Sequence, residues 1–387
     1  MKLADRMQDI QPFFVMDLLA RARELESQGH SIIHMEIGEP DFPTPQPIIK
    51  AGRQSLSDER THYTPALGLP ALRVKIAEYY QHEFDLEVEP QRIIITPGAS
   101  GALQLALAVS VNPNDKVLMT DPGYPCNRHM VRMFEAEAVS IAVDADTSFQ
   151  LTPQLIDQHW SENTVAAMIA SPSNPSGSHL DKASMQDLIE AAKKHDILLI
   201  VDEIYQGLVY DAENHTALSL SDDVIVINSF SKYFGMTGWR LGWMVVPEVL
   251  VEAIERVSQN IFLAPSTPAQ YAALDAFTDA SMHIIHARRD EFKQRRDYLL
   301  PALKKLGFKI LLKPEGAFYI YADCSGLSDD SFQFSNELLE KAGVAVTPGK
   351  DFGNYKAHQY LRFAYTQPVN ILQQAVGRIQ KYIKEYL

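Results

Sequence analysis

Residues 224–240 read VIVINSFSKYFGMTGWR, and the fold follows from how this stretch is understood. An apolar run, Val224 to Ile227, reads as a buried strand. It ends in two hydroxyls, Ser229 and Ser231, which flank Phe230. Lys232 follows at once, then Gly235, Gly238 and Arg240. A lysine at the end of a buried strand is costly unless its charge is used or its pKa is lowered. An amine held that way forms Schiff bases with carbonyl compounds. Two serines and an arginine beside it suit a phosphate, through hydroxyl donors and a bidentate guanidinium fork. The stretch therefore points to a carbonyl compound that also carries a phosphate. By itself it is also compatible with a strand end, a polar turn and a solvated lysine, so the other strand ends decide.

Working outward, strand-like runs recur at 93–96, 117–120, 139–143, 165–170, 197–202, 224–229 and 241–246. Helix-like segments lie between several of them, at 101–111, 127–135 and 182–195. This alternation predicts an α/β domain with a seven-stranded, mainly parallel sheet. Before it, Val15, Leu18, Leu19, Ala22 and Leu25 recur at helical spacing and Gly29 follows as a stop, so an N-terminal amphipathic helix is expected. HMEIGEPDFPTP (34–45) then breaks into a Gly/Pro-rich loop at Gly38. After residue 247 the chain turns helical, with a long charged helix over 284–306. FKILLKPEGAFYIYADC (308–324) reads as a hairpin-like pair of strands, AGVAVTPGKDFG and HQYLRFAYT supply further short strands, and a terminal helix closes the chain. The expected division is a large domain over 46–284 and a smaller α+β domain from 1–45 together with 285–387.

In open α/β sheets ligands bind outside the carboxyl ends of the strands. Five strand ends here carry chemistry. PGASGAL (97–103) opens a helix whose first N–H groups, near Ala99 and Ser100, suit a phosphate. DPGYP leaves Tyr124 at the edge as a stacking platform, and SPSNPSG places Asn174 there as a neutral hydrogen-bonder. VDEIY brings Asp202 and Tyr205, and the fifth strand brings Lys232. Each has a plainer reading. PGASG is also an ordinary βα turn, Asn174 between two prolines also turn chemistry, and Asp202 also a helix cap. Tyr124 and Tyr205 read equally as packing residues. Their coincidence at one edge is what favours a site.

Composition narrows the field. At 387 residues the chain can bury a large core, and a formal net charge of −14 argues against nucleic acid as its main partner. The pairs Arg288–Arg289 and Arg295–Arg296 sit among acids and read as a solvated helix face. Cys126 and Cys324 are the only cysteines and lack CxxC spacing, so no disulfide framework, thiolate zinc site or other metal centre is indicated. MKLADRMQDIQ at the start has no apolar signal-type core, and no run approaches the roughly 18 apolar residues of a membrane span. A cytoplasmic protein is expected.

The motifs IGEPDF, HYTPALGLPALR, TPGASGAL, DPGYP, SPSNPSG, VDEIY, SFSKYFGMTGWRLGW and LRFAY, in that order across nearly the whole chain, resemble the class I/II aminotransferases of fold type I. That resemblance implies pyridoxal 5'-phosphate as cofactor. Lys232 would hold it as a Schiff base, Asp202 would pair with its ring nitrogen, and Asn174 and Tyr205 would bind its phenolic oxygen. Tyr124 would lie on the ring face, and Ala99, Ser100, Ser229, Ser231 and Arg240 would hold the phosphate. Tyr63 would reach the phosphate of a partner subunit, implying a homodimer with shared sites. Arg362 would clamp the substrate's α-carboxylate, and Gly38 would line the substrate pocket.

The implied reaction moves an amino group from an L-amino acid to a 2-oxo acid such as 2-oxoglutarate. In aspartate-active relatives a basic residue is common about where Gly101 stands, so its absence favours a neutral, aromatic or sulfur-containing amino acid. The region 10–14 reads as a possible pocket rim. The competing reactions are β-elimination and decarboxylation on the same fold. A non-catalytic effector-binding module, the kind fused to DNA-binding heads, is disfavoured: the match begins within the first forty residues and the charge is acidic. A nucleotide-binding protein would need GxGxxG or GxxxxGK[ST], and neither occurs.

Overall fold

A computed structural model describes residues 2–387. The twelve strands are β1 (Ile33–His34), β2 (Ile93–Thr96), β3 (Lys116–Asp121), β4 (Glu137–Ala142), β5 (Thr164–Ala170) and β6 (Leu198–Asp202), then β7 (Ile225–Ser229), β8 (Gly242–Val245), β9 (Tyr319–Asp323), β10 (Val344–Ala345), β11 (Thr347–Pro348) and β12 (Tyr360–Ala364). Seven of them form the central sheet in the order β2-β8-β7-β6-β5-β3-β4. β8 runs antiparallel to both neighbours and the remaining pairings are parallel. Runs such as IVINS of β7 are buried at every position. Helices on both faces account for that, because a parallel sheet needs crossovers that cover it.

The antiparallel strand explains how a distant residue reaches the ligand edge. Gly242, at the start of β8, is in register with Ser229 at the end of β7 and with Thr96 at the end of β2. Arg240, two residues earlier in the chain, is thereby delivered beside both carboxyl ends. It turns there through a left-handed conformation, φ 53°.

A second, smaller sheet, β11-β12-β9, and the two-stranded pair β1-β10 draw on both ends of the chain. The N-terminal helix Phe14–Ser27 packs Leu18, Ala22 and Leu25 on Leu339 and Ala345. A 27-residue helix, Asp279–Lys305, runs through the expected boundary at 284 and 285 without a break.

Three expectations are corrected. The first half of 308–324 is no strand: only an isolated bridge, Lys309 to Asp323, stands where a hairpin was expected, and Pro314 and Gly316 interrupt the segment before it can run on along the free edge of β9. The helix after β2 begins at Gly98 rather than 101, since the glycines that look like turn residues form its first turn. Arg295 and Arg296 are not a solvated face: both are fully buried. Arg295 pairs with Asp41 at 2.7 Å and Arg296 with Asp211 at 2.6 Å, contacts from far along the chain that local charge patterning does not show.

Candidate active site

The carboxyl ends of β2, β3, β5, β6 and β7 and the loop before β8 open onto a cavity of about 320 Å³. Lys232, Asp202, Tyr205, Asn174, Tyr124, Ala99, Ser100, Ser229, Ser231, Arg240, Gly38 and Arg362 all line it. Tyr63 does not: its side chain is 82% exposed on the surface. Gly101 also lies outside the cavity wall, where a Cβ would meet Pro97 at 2.8 Å and Phe262 at 3.5 Å.

Lys232 reaches from the end of β7 to donate to the Gly38 carbonyl at 2.6 Å. Burial pushes its pKa down to about 8, helped by Arg362 and Arg240 and opposed by Glu39 and Asp202. Asp202 accepts one hydrogen bond, from the Ile204 N–H at 3.0 Å, so it does cap the local turn. Its carboxyl also faces the cavity, and burial raises its pKa to about 6. A half-buried carboxylate with a single backbone donor has room for a cationic one.

The phosphate-sized end is built from backbone. Helix Gly98–Ser110 starts without any side-chain cap, so its first N–H groups remain available. Gly98 adopts φ +73°, and a Cβ there would stand 2.8 Å from Arg240 Nη2. Only glycine lets the guanidinium lie across that turn. Opposite it, Ser229 Oγ donates to Ser231 Oγ at 2.9 Å and accepts from the Ser231 N–H at 3.1 Å. Beneath these serines a buried chain runs from Asn228 through Gln206 to Glu203, which also accepts from the Ala217 N–H at 2.7 Å.

At the other end, β12 brings in Arg362, which is 5% exposed. It donates to Asn174 Oδ1 at 2.9 Å, to the Glu36 carbonyl and to Thr347 Oγ1 at 3.3 Å. Its Nε has no partner, and no carboxylate among the described residues lies within the 4.0 Å of an ion pair. The Tyr319 ring lies 4.3 Å and the Phe352 ring 4.8 Å from its guanidinium carbon. A buried cation with only neutral partners is unstable unless an anion completes it.

Several lining residues escape sequence reasoning. Tyr319 Oη bonds Tyr205 Oη at 2.7 Å, and the same hydroxyl crowds Gly38, where a Cβ would fall 2.0 Å away. Glu36, Asp351 and Phe352 also line the cavity. Val15 and Met16 line its rim too, beside Phe13 of the 10–14 region, which the sequence does offer as a rim. None of these carries a motif. They are found only when both chain ends fold over the sheet edge.

A family model described as aminotransferase class I and II matches residues 30–379. The chain is 36% identical over 386 residues to (5-formylfuran-3-yl)methyl phosphate transaminase of Methanocaldococcus jannaschii, covering 99% of this chain and 100% of that protein. It is 34% identical over 376 residues to valine–pyruvate aminotransferase of Mycobacterium tuberculosis, covering 97% of each. The crystal structure of an aminotransferase from Mycobacterium tuberculosis superposes with a TM-score of 0.96 at 34% identity, over 99% of both chains.

Proposed function

The chain belongs to the class I and II aminotransferases, and from that premise we propose that it moves the amino group of a neutral, aromatic or sulfur-containing L-amino acid to a 2-oxo acid such as 2-oxoglutarate. The observation that carries this reading is Arg362, a buried guanidinium without an acidic partner in the same cavity as Lys232 and Asp202. It supplies a place for an α-carboxylate next to a reactive amine.

The donor set fits pyridoxal 5'-phosphate. In this reading the uncapped turn at Ala99 and Ser100, with Ser229, Ser231 and Arg240, would hold the phosphate. Asp202 would take the ring nitrogen, Asn174 and Tyr205 the phenolic oxygen, Tyr124 would cover a face, and Lys232 would take the aldehyde. When bound, the cofactor supplies an electrophilic carbon for the amino group and a ring that accepts electron density from the substrate's α-carbon. The chain's own residues do the rest. Arg362 orients the substrate by its carboxylate, and Asp202 stays ionised to keep a proton on the nitrogen it faces. Lys232 Nζ, freed when the substrate's amino group takes its place and poised by its lowered pKa, would take the α-proton and deliver it to the carbon on the far side of the transferred nitrogen.

Phe13, Val15, Met16, Ile37 and Leu103 give the cavity apolar walls, which suit a neutral side chain. Since Gly101 is packed away from the wall, the preference rests on these residues rather than on that position. The reading also includes a homodimer in which Tyr63 completes the partner's phosphate site, and a division into 46–284 and 1–45 with 285–387. It places the protein in the cytoplasm, which suits two free cysteines. No helix among the described residues is long and apolar enough to cross a membrane.

The test is a panel of L-amino acids offered to purified protein together with 2-oxoglutarate, with the new 2-oxo acid measured. Turnover is expected with at least one neutral or aromatic donor and none with Lys232→Ala. Normal turnover in Lys232→Ala would end the proposal.

A further inference from the structure

Two residues of one short segment, Glu36 and Gly38, serve both functional cations. The Glu36 carbonyl accepts from Arg362 Nη2 and from Thr347 Oγ1, the latter at 2.8 Å, and the Gly38 carbonyl accepts from Lys232 Nζ at 2.6 Å. Anything that fixes 36–38 therefore fixes the proposed carboxylate site and the proposed amine site against each other. The preceding residue is already tied in: the Met35 N–H donates to the Ala345 carbonyl at 3.0 Å, and the Met35 carbonyl accepts from Ala364 N–H at 2.8 Å.

What is unusual is the side chain of Glu36. It is fully buried at the cavity wall, and its Oε2 has no partner among the described residues. Its Oε1 lies 2.7 Å from Nδ1 of His34, whose Nε2 lies 3.2 Å from Oε1 of Glu26 at the surface. Both ring nitrogens face carboxylate oxygens, so both must donate and the ring is an imidazolium. A buried carboxylate held by one cation cannot rotate away without stranding its charge. Packing alone needs no such group here, since an apolar residue would fill the position at lower desolvation cost.

We infer that the His34–Glu36 ion pair is a positioning device for the substrate's α-carboxylate, holding the Glu36 carbonyl where it orients Arg362. The pair touches neither reacting atom. It acts through the Glu36 carbonyl on Arg362 and not through Gly38, the acceptor of Lys232, so its loss weakens recognition of the carboxylate and leaves the proton transfer by Lys232 in place. This rests on the functional reading given above.

The experiment compares wild type, His34→Gln and Arg362→Lys. The substrates are the best amino acid of the panel and the amine made by removing its α-carboxyl group. For His34→Gln the expected result is a KM for the amino acid about tenfold higher, kcat within about twofold, and kcat/KM for the amine unchanged. Glu36→Gln should repeat the pattern. If it does not fold, His34→Gln decides alone. An unchanged KM in His34→Gln while Arg362→Lys raises it would overturn the inference and leave the functional reading standing. So would equal losses for acid and amine, or a lower melting temperature with unaltered kinetics, since each of these marks a purely structural staple. An Arg362→Lys variant with unaltered KM would overturn the functional reading, and this inference with it.

Discussion

Burial of charge is the theme at the scale of single residues. Lys232, Asp202, Arg362 and Glu36 are each held where solvent is scarce and each lacks a full set of partners. His34 makes the consequence measurable. Its pKa is raised from 6.5 to about 9, chiefly by the hydrogen bond to Glu36. A raised folded pKa stabilises the native state fully below the unfolded value near 6.5, and that contribution is lost as pH climbs through 9. The upper bound is about 3 kcal/mol, from about 1.36 kcal/mol per pKa unit. In thermal unfolding, wild type should therefore exceed His34→Gln at pH 6.5, and the two should converge by pH 10. A gap that stays constant across this range would show that the ring is not charged in the native state. The strand-end residues were legible in the sequence because charged and hydroxyl groups punctuate apolar strands. His34 and Glu36 were not, since their meaning depends on a carbonyl meeting an arginine over three hundred residues away in the chain.

Among elements, the short loops that meet at the sheet edge leave the least slack. Gly38 and Gly98 are both required, for different reasons: the first by the Tyr319 hydroxyl, the second by Arg240 and by its own positive φ. Gly38→Ala should break the Tyr205–Tyr319 hydrogen bond and displace the acceptor of Lys232, lowering kcat/KM by about a hundredfold or more while the core stays folded. Unaltered kinetics in that variant would mean the loop adapts freely, contrary to the packing. The strands of the central sheet could be read from their apolar runs, some almost to the residue, as β2 and β7 show. The hairpin expected over 308–324 could not, because the apolar run Phe308–Leu312 reads as a strand while its contact with β9 is a single bridge, and the partner of β9 is β12, about forty residues on. The same holds for Arg295 and Arg296, whose acids arrive from other elements.

For the whole molecule, the fold and its ligand edge were readable from alternation and strand-end chemistry, whereas the pair β1-β10 required segments from both ends of the chain to be in place. Tyr63, exposed in one chain, is meaningful in the proposed dimer. Mixing inactive Lys232→Ala with impaired Tyr63→Ala subunits should restore activity, because the Tyr63→Ala chain keeps its own Lys232 and receives Tyr63 from its partner. Mixtures no more active than the sum of their parts would place each site within one chain. The central claim, amino transfer at Lys232, is tested most directly by following the nitrogen itself. The best donor from the panel, labelled with ¹⁵N, is incubated with wild-type protein and 2-oxoglutarate. The account predicts that the label appears in newly formed glutamate in step with release of the donor's 2-oxo acid. Label appearing as free ammonia, or loss of carbon dioxide from the donor, would contradict it.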